Sequence, residues 1–320
     1  MAVQSVNPAT EEVLATFEEH TGAQVEAALD GAVAAFRRWR RTPLEERGRL
    51  MRQAATYLRQ HRDRLAGLVT AEMGKPIVEA EAEVAKCAWN CDYYAEHAAA
   101  FLADLSRPSN ATESYVAFDP LGPVLAIMPW NFPLWQVFRF AAPALMAGNS
   151  ALLKHASNVP QCALAIEEVF REAGFPAGVF RTLLVPSGAV AGIIADDRVR
   201  AVTLTGSDAT GARVAEASGR ALKKCVLELG GSDPFIVLGD ADVAAAVDGA
   251  VRSRYQNTGQ SCIAAKRFIV EEAVAEEFEG RLVDAVARLR VGDPTEQETN
   301  LGPLARDDLR RGLDDQVRRS

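Results

Sequence analysis

From Pro123 onward, short continuous apolar runs alternate with segments of helical periodicity. The apolar runs span residues 124–128, 151–154, 179–185, 199–204 and 226–229. Continuous apolar strands separated by helices are typical of a parallel sheet that is covered on both faces. A second run of the same kind starts at 235–238 and continues past Cys262 into 268–270. We therefore predict an α/β fold, with a Rossmann-type parallel sheet followed by the start of a second α/β domain.

The first third of the chain carries helical rather than strand patterns. Apolar residues recur at helical spacing at Val25, Leu29, Val33 and Phe36. Residues 42–45 combine a capping box with a proline at the first helical position, and they predict a helix that runs toward residue 72. Residues 73–76 break this helix, and a further helix is expected over 77–102. Residues 113–119 then alternate like an exposed strand, which predicts a hairpin outside the main sheet.

Length, composition and net charge limit which kinds of protein this chain can be. With 320 residues, the chain suits two domains or one large α/β unit. A net charge of −8, from 35 basic and 43 acidic side chains, argues against a nucleic-acid surface but allows a local phosphate pocket. The cysteines, an odd and widely spaced set of 5, favour a reducing compartment over a disulfide framework. Because the N-terminal residues lack a signal-peptide pattern and no apolar run reaches membrane-span length, we expect a cytoplasmic protein without a membrane partner.

Three residues supply what a nucleophilic thiol needs for chemistry at a carbonyl carbon. Cys262 has small neighbours, which leave a thiol accessible. Glu228 ends a predicted strand before two glycines, so its carboxylate can face a cavity and act as a general base for water. Asn131 follows another strand, and its amide can donate to an oxyanion together with the Cys262 backbone N–H. Taken singly, each residue also has a structural explanation, as a buried cysteine, a salt-bridged glutamate and an asparagine in a turn.

Residues at other strand ends suggest an anion or nucleotide site. Thr205-Gly206-Ser207 closes a strand and opens a helix, where free backbone N–H groups and the helix dipole favour a pyrophosphate. The motif is weak because it is not Gly-x-Gly-x-x-Gly. Lys154 ends another strand and can hold ribose hydroxyls or a phosphate. The remaining cysteines are interpreted as structural, since Cys87 and Cys91 lack a second ligand pair for a metal.

Together these pieces resemble the aldehyde dehydrogenase superfamily, over essentially the whole chain. The matching segments, in the family's order and close to its spacing, are Pro-Trp-Asn-Phe-Pro, the Lys154 strand end, Leu-Thr-Gly-Ser, Glu-Leu-Gly-Gly and Gly-Gln-Ser-Cys. The resemblance implies that the Cys262 thiolate attacks an aldehyde while Asn131 and the Cys262 N–H hold the oxyanion. Hydride then passes to the nicotinamide, and water activated by Glu228 hydrolyses the thioester. The cofactor-binding residues that it implies are Trp130, Lys154, Ser157, Thr205, Gly206, Ser207, Leu229 and Gly230.

Two positions bear on the cofactor and the substrate. NAD-preferring family members commonly carry an acidic residue where this chain has Ser157, which can donate to a 2′-phosphate instead. We therefore predict NADP as the preferred cofactor, with NAD as the alternative. Arg139 resembles the arginine with which succinate-semialdehyde dehydrogenases grip the substrate carboxylate, although an arginine paired within the core is an alternative. The wider sequence is similar to the bacterial short form of that enzyme, but Gln256 stands where other members place a second arginine.

The resemblance also divides the chain. It implies a dinucleotide-binding domain at 1–102 and 121–232, an oligomerisation hairpin at 103–120, and the N-terminal part of a catalytic domain at 233–320. Family members continue further, to a Glu-x-Phe-Gly-Pro segment that this sequence lacks, so we expect an incomplete catalytic domain.

Three hypotheses follow for the activity. The first is NAD(P)-dependent oxidation of an aldehyde, foremost succinate semialdehyde, by a family-like homo-oligomer. The second is a truncated, catalytically inactive fragment that retains nucleotide or partner-subunit binding. The third is a thiol esterase, because a nucleophile, a base and an oxyanion hole suffice for that reaction without hydride transfer.

Overall fold

The computed structural model describes residues 2–320 and begins with a β-hairpin. Strands β1 (Ala2–Val6) and β2 (Val13–Glu18) pair antiparallel and precede helix α1 (Gly22–Trp39). This hairpin corrects the all-helical prediction for the first third of the chain. Most of its side chains are exposed or half-buried, so no clean alternation of apolar and polar residues marks the strands. Helix α1 forms where the apolar spacing predicts it, and a capping box between Thr21 and Gln24 fixes its start.

Three helices follow in place of the two that were predicted. They are α2 (Leu44–Gln60), α3 (Arg62–Met73) and α4 (Ile77–Phe101). The expected continuous helix toward residue 72 is interrupted at His61, whose φ of −110° and ψ of 21° are not helical. His61 stacks on the Tyr57 ring, with 3.9 Å between the centroids. The capping box predicted at 42–45 does not form, because Pro43 occupies the N-cap position, where a proline side chain offers no hydrogen bond.

A short hairpin lies between α4 and the main sheet in sequence. Strands β3 (Leu105–Ser106) and β4 (Tyr115–Val116) pair antiparallel outside that sheet, and both are exposed. The paired part is shorter than the alternating stretch 113–119. Its role in oligomerisation stays a prediction.

The main sheet alternates strands with helices. In chain order the elements are β5 (Pro123–Met128), α5 (Trp135–Met146), β6 (Ser150–His155), α6 (Pro160–Glu172), β7 (Phe180–Thr182), α7 (Val190–Ala195), β8 (Ala201–Thr205), α8 (Asp208–Arg220) and β9 (Lys224–Glu228). The strands run parallel in the order β7-β6-β5-β8-β9. The winding direction reverses between β5 and β8, so the loops after these strands diverge and leave a crevice at the carboxyl edge. The predicted α/β fold with a Rossmann-type sheet is confirmed.

Helices cover the sheet on both faces. On one face α2 to α6 pack together through large side chains such as Phe138 and Phe170, whose ring centroids lie 5.3 Å apart. On the other face α1, α7 and α8 pack around Leu125 and Val202. Every residue of β5 and β6 is buried, which explains the apolar run of β5 and the apolar residues at 151–153 of β6. Strand β9 alternates between exposed and half-buried residues because it lies at the edge.

The remaining residues form a smaller parallel arrangement. Its elements are β10 (Asp233–Val237), α9 (Val243–Tyr255), β11 (Ala265–Val270), α10 (Glu272–Ala287) and α11 (Asp307–Arg319). Strands β10 and β11 pair in parallel around a core that includes Val237, Val247 and Phe278. Within residues 2–320, no helix combines the length and apolar character needed to cross a bilayer.

Candidate active site

A cleft of about 500 Å³ opens at the carboxyl ends of β5, β6 and β8. Its position is the crevice that the strand order creates, where ligands of doubly wound sheets bind. Most of the predicted site residues line it: Trp130, Asn131, Lys154, Ser157, Thr205, Gly206, Ser207, Leu229 and Cys262. Gly230 follows Leu229 directly but is not part of the lining.

The N-terminus of α8 forms one wall of the cleft. Ser207 caps this helix, and its hydroxyl accepts a hydrogen bond from the Thr210 N–H at 3.4 Å. Gly211, in the first turn, packs so closely on Leu229 that an added Cβ would lie 2.6 Å from the leucine Cδ2. Leu229 is therefore held against the helix start. Ser207 and Thr210 line the cleft there, and a helix N-terminus favours a bound anion.

Lys154, near the end of β6, and Ser157, just after that strand, also line the cleft. The Lys154 side chain is 7% exposed, and burial lowers the pKa of its ammonium group. Lys154 lines the cleft and, in the part of the chain that the structure describes, forms no ion pair with a protein carboxylate. A buried ammonium group of this kind suits a nucleotide phosphate or ribose. Ser157 is exposed at the mouth of the cleft and brings no negative charge.

Cys262 lies in a turn with unusual backbone geometry. Asn257, Thr258 and Gly259 all have left-handed φ values, of 58°, 56° and 72°. The half-buried Cys262 follows this turn. Its carbonyl accepts a hydrogen bond from the Lys266 ammonium at 2.9 Å, which fixes the main chain after the nucleophile.

Asn131 connects the β5 loop to the Cys262 turn. Its Nδ2 donates to the Gln260 carbonyl at 3.0 Å, and its own carbonyl accepts from Asn257 Nδ2 at 2.7 Å. The amide oxygen of Asn131 accepts from the Phe132 N–H at 3.2 Å, which orients the amide group. Since Nδ2 carries two hydrogens, one remains for a ligand beside Cys262. Asn131 and Cys262 are thus brought together.

Glu228 and Arg139 lie in a neighbouring cavity of about 460 Å³. This cavity shares Met128 and Thr205 with the cleft. Arg139 donates to Thr205 Oγ1 at 3.1 Å, and its NH1 lies 3.5 Å from Glu228 Oε2. Glu228, with 55% of its side chain exposed, therefore does not face Cys262 across the cleft. The chain after Glu228 nevertheless passes close to the nucleophile, since a Cβ at Gly231 would lie 3.5 Å from the Cys262 carbonyl.

Comparison with known proteins identifies the family to which these residues belong. The model of the aldehyde dehydrogenase family matches residues 1–320. The chain belongs to this family. A probable succinate-semialdehyde dehydrogenase [NADP(+)] from Synechocystis is 56% identical over 309 residues, 97% of this chain and 68% of that protein. The succinate semialdehyde dehydrogenase [NAD(P)+] Sad of Escherichia coli K12 is 51% identical over 316 residues, 99% of this chain and 68% of that protein.

Solved structures of aldehyde dehydrogenases share the fold. Succinic semialdehyde dehydrogenase from Streptococcus pyogenes, in complex with NADP+, matches with a TM-score of 0.96 at 39% identity. The match covers 99% of this chain and 70% of that one. Succinate-semialdehyde dehydrogenase from Burkholderia pseudomallei matches with a TM-score of 0.94 at 36% identity, over 98% of this chain and 66% of that one.

Sequence reasoning missed the buried polar residues that support the loop of this aldehyde dehydrogenase after β5. His155 Nε2 donates to the Pro133 carbonyl at 2.8 Å, since its Nδ1 accepts from the Ala156 N–H at 2.8 Å. Burial lowers the pKa of His155 to about 4, so the ring is neutral at physiological pH. Glu83 Oε1 accepts from the Leu134 N–H at 2.8 Å. Glu79, Glu81 and Glu83 alternate with apolar residues at the start of α4, so the sequence alone does not single out Glu83.

Two further positions complete the surroundings of the cleft. Arg306, which the sequence analysis did not select, lines the cleft with its guanidinium 5.9 Å from the centre of the Trp130 ring. Gln256 lines a separate groove together with Tyr255 and Glu79, and that groove does not include Arg139. Among residues 2–320, no cluster of three or more His, Cys, Asp or Glu side chains is arranged to hold a metal.

Proposed function

We propose that this aldehyde dehydrogenase oxidises succinate semialdehyde to the dicarboxylic acid with NADP, using Cys262 as the nucleophile. The observation that carries the proposal is the hydrogen bond from Asn131 Nδ2 to the Gln260 carbonyl at 3.0 Å. It joins an amide donor to the turn that carries the half-buried thiol of Cys262, which lines the cleft. The names of the relatives from Synechocystis and Escherichia coli support the choice of substrate and cofactor.

The first chemical step forms a bond between Cys262 Sγ and the aldehyde carbon. The carbonyl π electrons move to oxygen, and the resulting oxyanion accepts hydrogen bonds from Asn131 Nδ2 and the Cys262 N–H. When bound, NADP supplies the acceptor for the hydride that leaves this carbon. The carbon then remains attached to Sγ as a thioester, an activated acyl group from which water can displace the thiolate.

Arg139 has two roles in this proposal. In the structure its guanidinium is directed at Glu228 and Thr205. A substrate carboxylate bound at the same guanidinium competes with Glu228, because both present carboxylate oxygens to one fork of N–H donors. Glu228 is then free to turn toward the thioester, take a proton from water and release the acid with regeneration of the Cys262 thiolate.

The cofactor side rests on Lys154 and Ser157. The buried, unpaired ammonium of Lys154 attracts the phosphate or ribose of the adenosine half, while the Ser157 hydroxyl donates to a 2′-phosphate that a carboxylate would repel. In this proposal the pyrophosphate binds at Ser207 and the first turn of α8, and the position of Ser207 at the N-cap supports that assignment.

The test is a comparison of kcat/KM for NADP and NAD with succinate semialdehyde as substrate. We expect a clear preference for NADP and no turnover without nucleotide. Comparable kcat/KM values for the two cofactors would refute the cofactor assignment. Absence of any reduced nucleotide, with NADP still binding in calorimetry, would refute the activity for this chain.

A further inference from the structure

The segment between α3 and α4, which the sequence marks only as a helix break, lies where the two loops of the active site meet. Lys75 in this segment is fully buried, and its ammonium pairs with the carboxylate of Glu83. The same ammonium lies over the ring of Phe132, 3.9 Å from its centroid. Glu79 lies one helical turn before Glu83 on the same side of α4, within the electrostatic influence of Lys75. Lys75, Glu79 and Glu83 are named here the Lys75 cluster.

Glu83 supports the loop that carries Asn131. Its Oε1 accepts hydrogen bonds from the Leu134 N–H at 2.8 Å and from the Trp135 N–H at 2.9 Å. Because the Glu83 side chain is 2% exposed and already paired with Lys75, these charge-assisted bonds are shielded from water. The main chain that follows Asn131 is therefore attached to α4.

Glu79 supports the turn that carries Cys262. Its Oε2 accepts a hydrogen bond from the Asn257 N–H at 2.7 Å. Asn257 and Thr258 both have left-handed φ values, which a β-branched residue such as Thr258 rarely adopts. Such a turn persists only when its surroundings hold it. Burial raises the pKa of Glu79, while the Asn257 N–H and Lys75 oppose that shift, as expected for a carboxylate enclosed between these groups.

We propose that Glu79 is a positioning residue that fixes the Cys262 turn relative to the Asn131 loop through the Lys75 cluster. The two oxyanion donors, Asn131 Nδ2 and the Cys262 N–H, come from loops far apart in the chain. These loops are bonded to each other directly through Asn131, and α4 also holds each of them, through Glu83 and Glu79. We expect their separation to depend on this shared support in addition to the direct bonds. This inference rests on the activity proposed above, and it adds a residue that touches neither the substrate nor the cofactor.

The experiment compares Glu79→Ala with Glu79→Gln in the full chain. Glutamine keeps an oxygen that accepts the Asn257 N–H, whereas alanine removes it. We expect Glu79→Ala to lower kcat about 10- to 100-fold, the effect of one lost charge-assisted hydrogen bond. KM for succinate semialdehyde and the Kd for NADP should stay unchanged, and Glu79→Gln should restore most of kcat. Glu81→Ala is the matched control, since Glu81 lies on the same helix and its carboxylate pairs with Arg62, at 3.9 Å, rather than with either active-site loop.

Hydrogen exchange provides a readout that does not depend on turnover. Amide exchange in the peptide 256–263 should become faster in Glu79→Ala and stay at the wild-type rate in Glu79→Gln and Glu81→Ala. Unchanged exchange in Glu79→Ala, or an equal loss of kcat in both Glu79 variants, would overturn the proposal. An equal weakening of NADP binding and of kcat would also overturn it, because that pattern indicates general damage to the fold. If the wild-type chain has no activity on succinate semialdehyde, the proposed function fails and the exchange data alone decide this inference.

Discussion

Replacing Arg139 with glutamine separates the recognition of the substrate carboxylate from the chemistry at the aldehyde. A hydrogen bond to a charged group contributes about 1.5–3 kcal/mol. The Arg139 side chain is 37% exposed, so solvent screening places the expected loss in the lower part of that range. A loss of about 1.5–2 kcal/mol corresponds to a roughly 10- to 30-fold lower kcat/KM for succinate semialdehyde. Butanal, a neutral aldehyde of the same chain length, should lose little, because Arg139 has no carboxylate to bind in it.

The assay is the initial rate of NADPH formation with each aldehyde, measured for wild type, Arg139→Gln and Arg139→Lys. The lysine variant keeps the charge but not the fork of N–H donors, so its kcat/KM for succinate semialdehyde should lie between the other two. An equal decrease for butanal and succinate semialdehyde would refute the reasoning, because it would assign Arg139 to the structure rather than to substrate recognition. An unchanged kcat/KM for succinate semialdehyde in Arg139→Gln would refute it as well.

Three other perturbations follow from the site. Asn131→Ala removes one oxyanion donor, so kcat from steady-state kinetics should fall about 100- to 1,000-fold. The affinity for NADP, measured by calorimetry, should not change. A nearly wild-type kcat would contradict the donor role. Ser157→Glu places a carboxylate near the expected 2′-phosphate and should lower kcat/KM for NADP about 10- to 100-fold while sparing NAD, whereas parallel losses would contradict the assignment. The pKa of His155 is about 4 in the fold against 6.5 for the free side chain, so the unfolded chain binds a proton more readily than the folded one. The contribution of neutral His155 to stability is therefore complete above pH 6.5 and is lost as the pH falls toward 4. Between pH 6.5 and 4 the free energy of unfolding, measured by urea titration, should decrease by about 3 kcal/mol more in wild type than in His155→Gln. The same dependence of this free energy on pH in the two proteins would contradict the prediction.

The parallel sheet could be predicted because its central strands are buried along their whole length. Strand β5 therefore appears in the sequence as an unbroken apolar run, and β6 has apolar residues at 151–153. The N-terminal hairpin could not be found in this way, since only Ser5 in β1 is fully buried and β2 has no fully buried residue. The break at His61 was missed because residues on both sides favour a helix, and the interruption depends on backbone angles that no local motif encodes.

The candidate site was only partly predictable for a related reason. The site residues at strand ends could be predicted, because sequence motifs mark them and a parallel sheet brings the carboxyl ends of its strands to one edge. The pairing of Arg139 with Glu228 needs the distance between α5 and β9, which the sequence does not contain. Lys75 and Glu83 were missed because lysine and glutamate usually mark a solvated surface, whereas here they neutralise each other in the interior. The assignments of the individual site residues stay predictions until the variants are measured.

The most direct test of the central claim is NADPH formation from succinate semialdehyde by the wild-type chain and by Cys262→Ala, with NADP binding measured for both by calorimetry. The account predicts NADPH from the wild type, none from Cys262→Ala, and the same Kd for NADP in the two proteins. Sustained NADPH formation by Cys262→Ala would contradict the claim that a cysteine-bound acyl group lies on the reaction path.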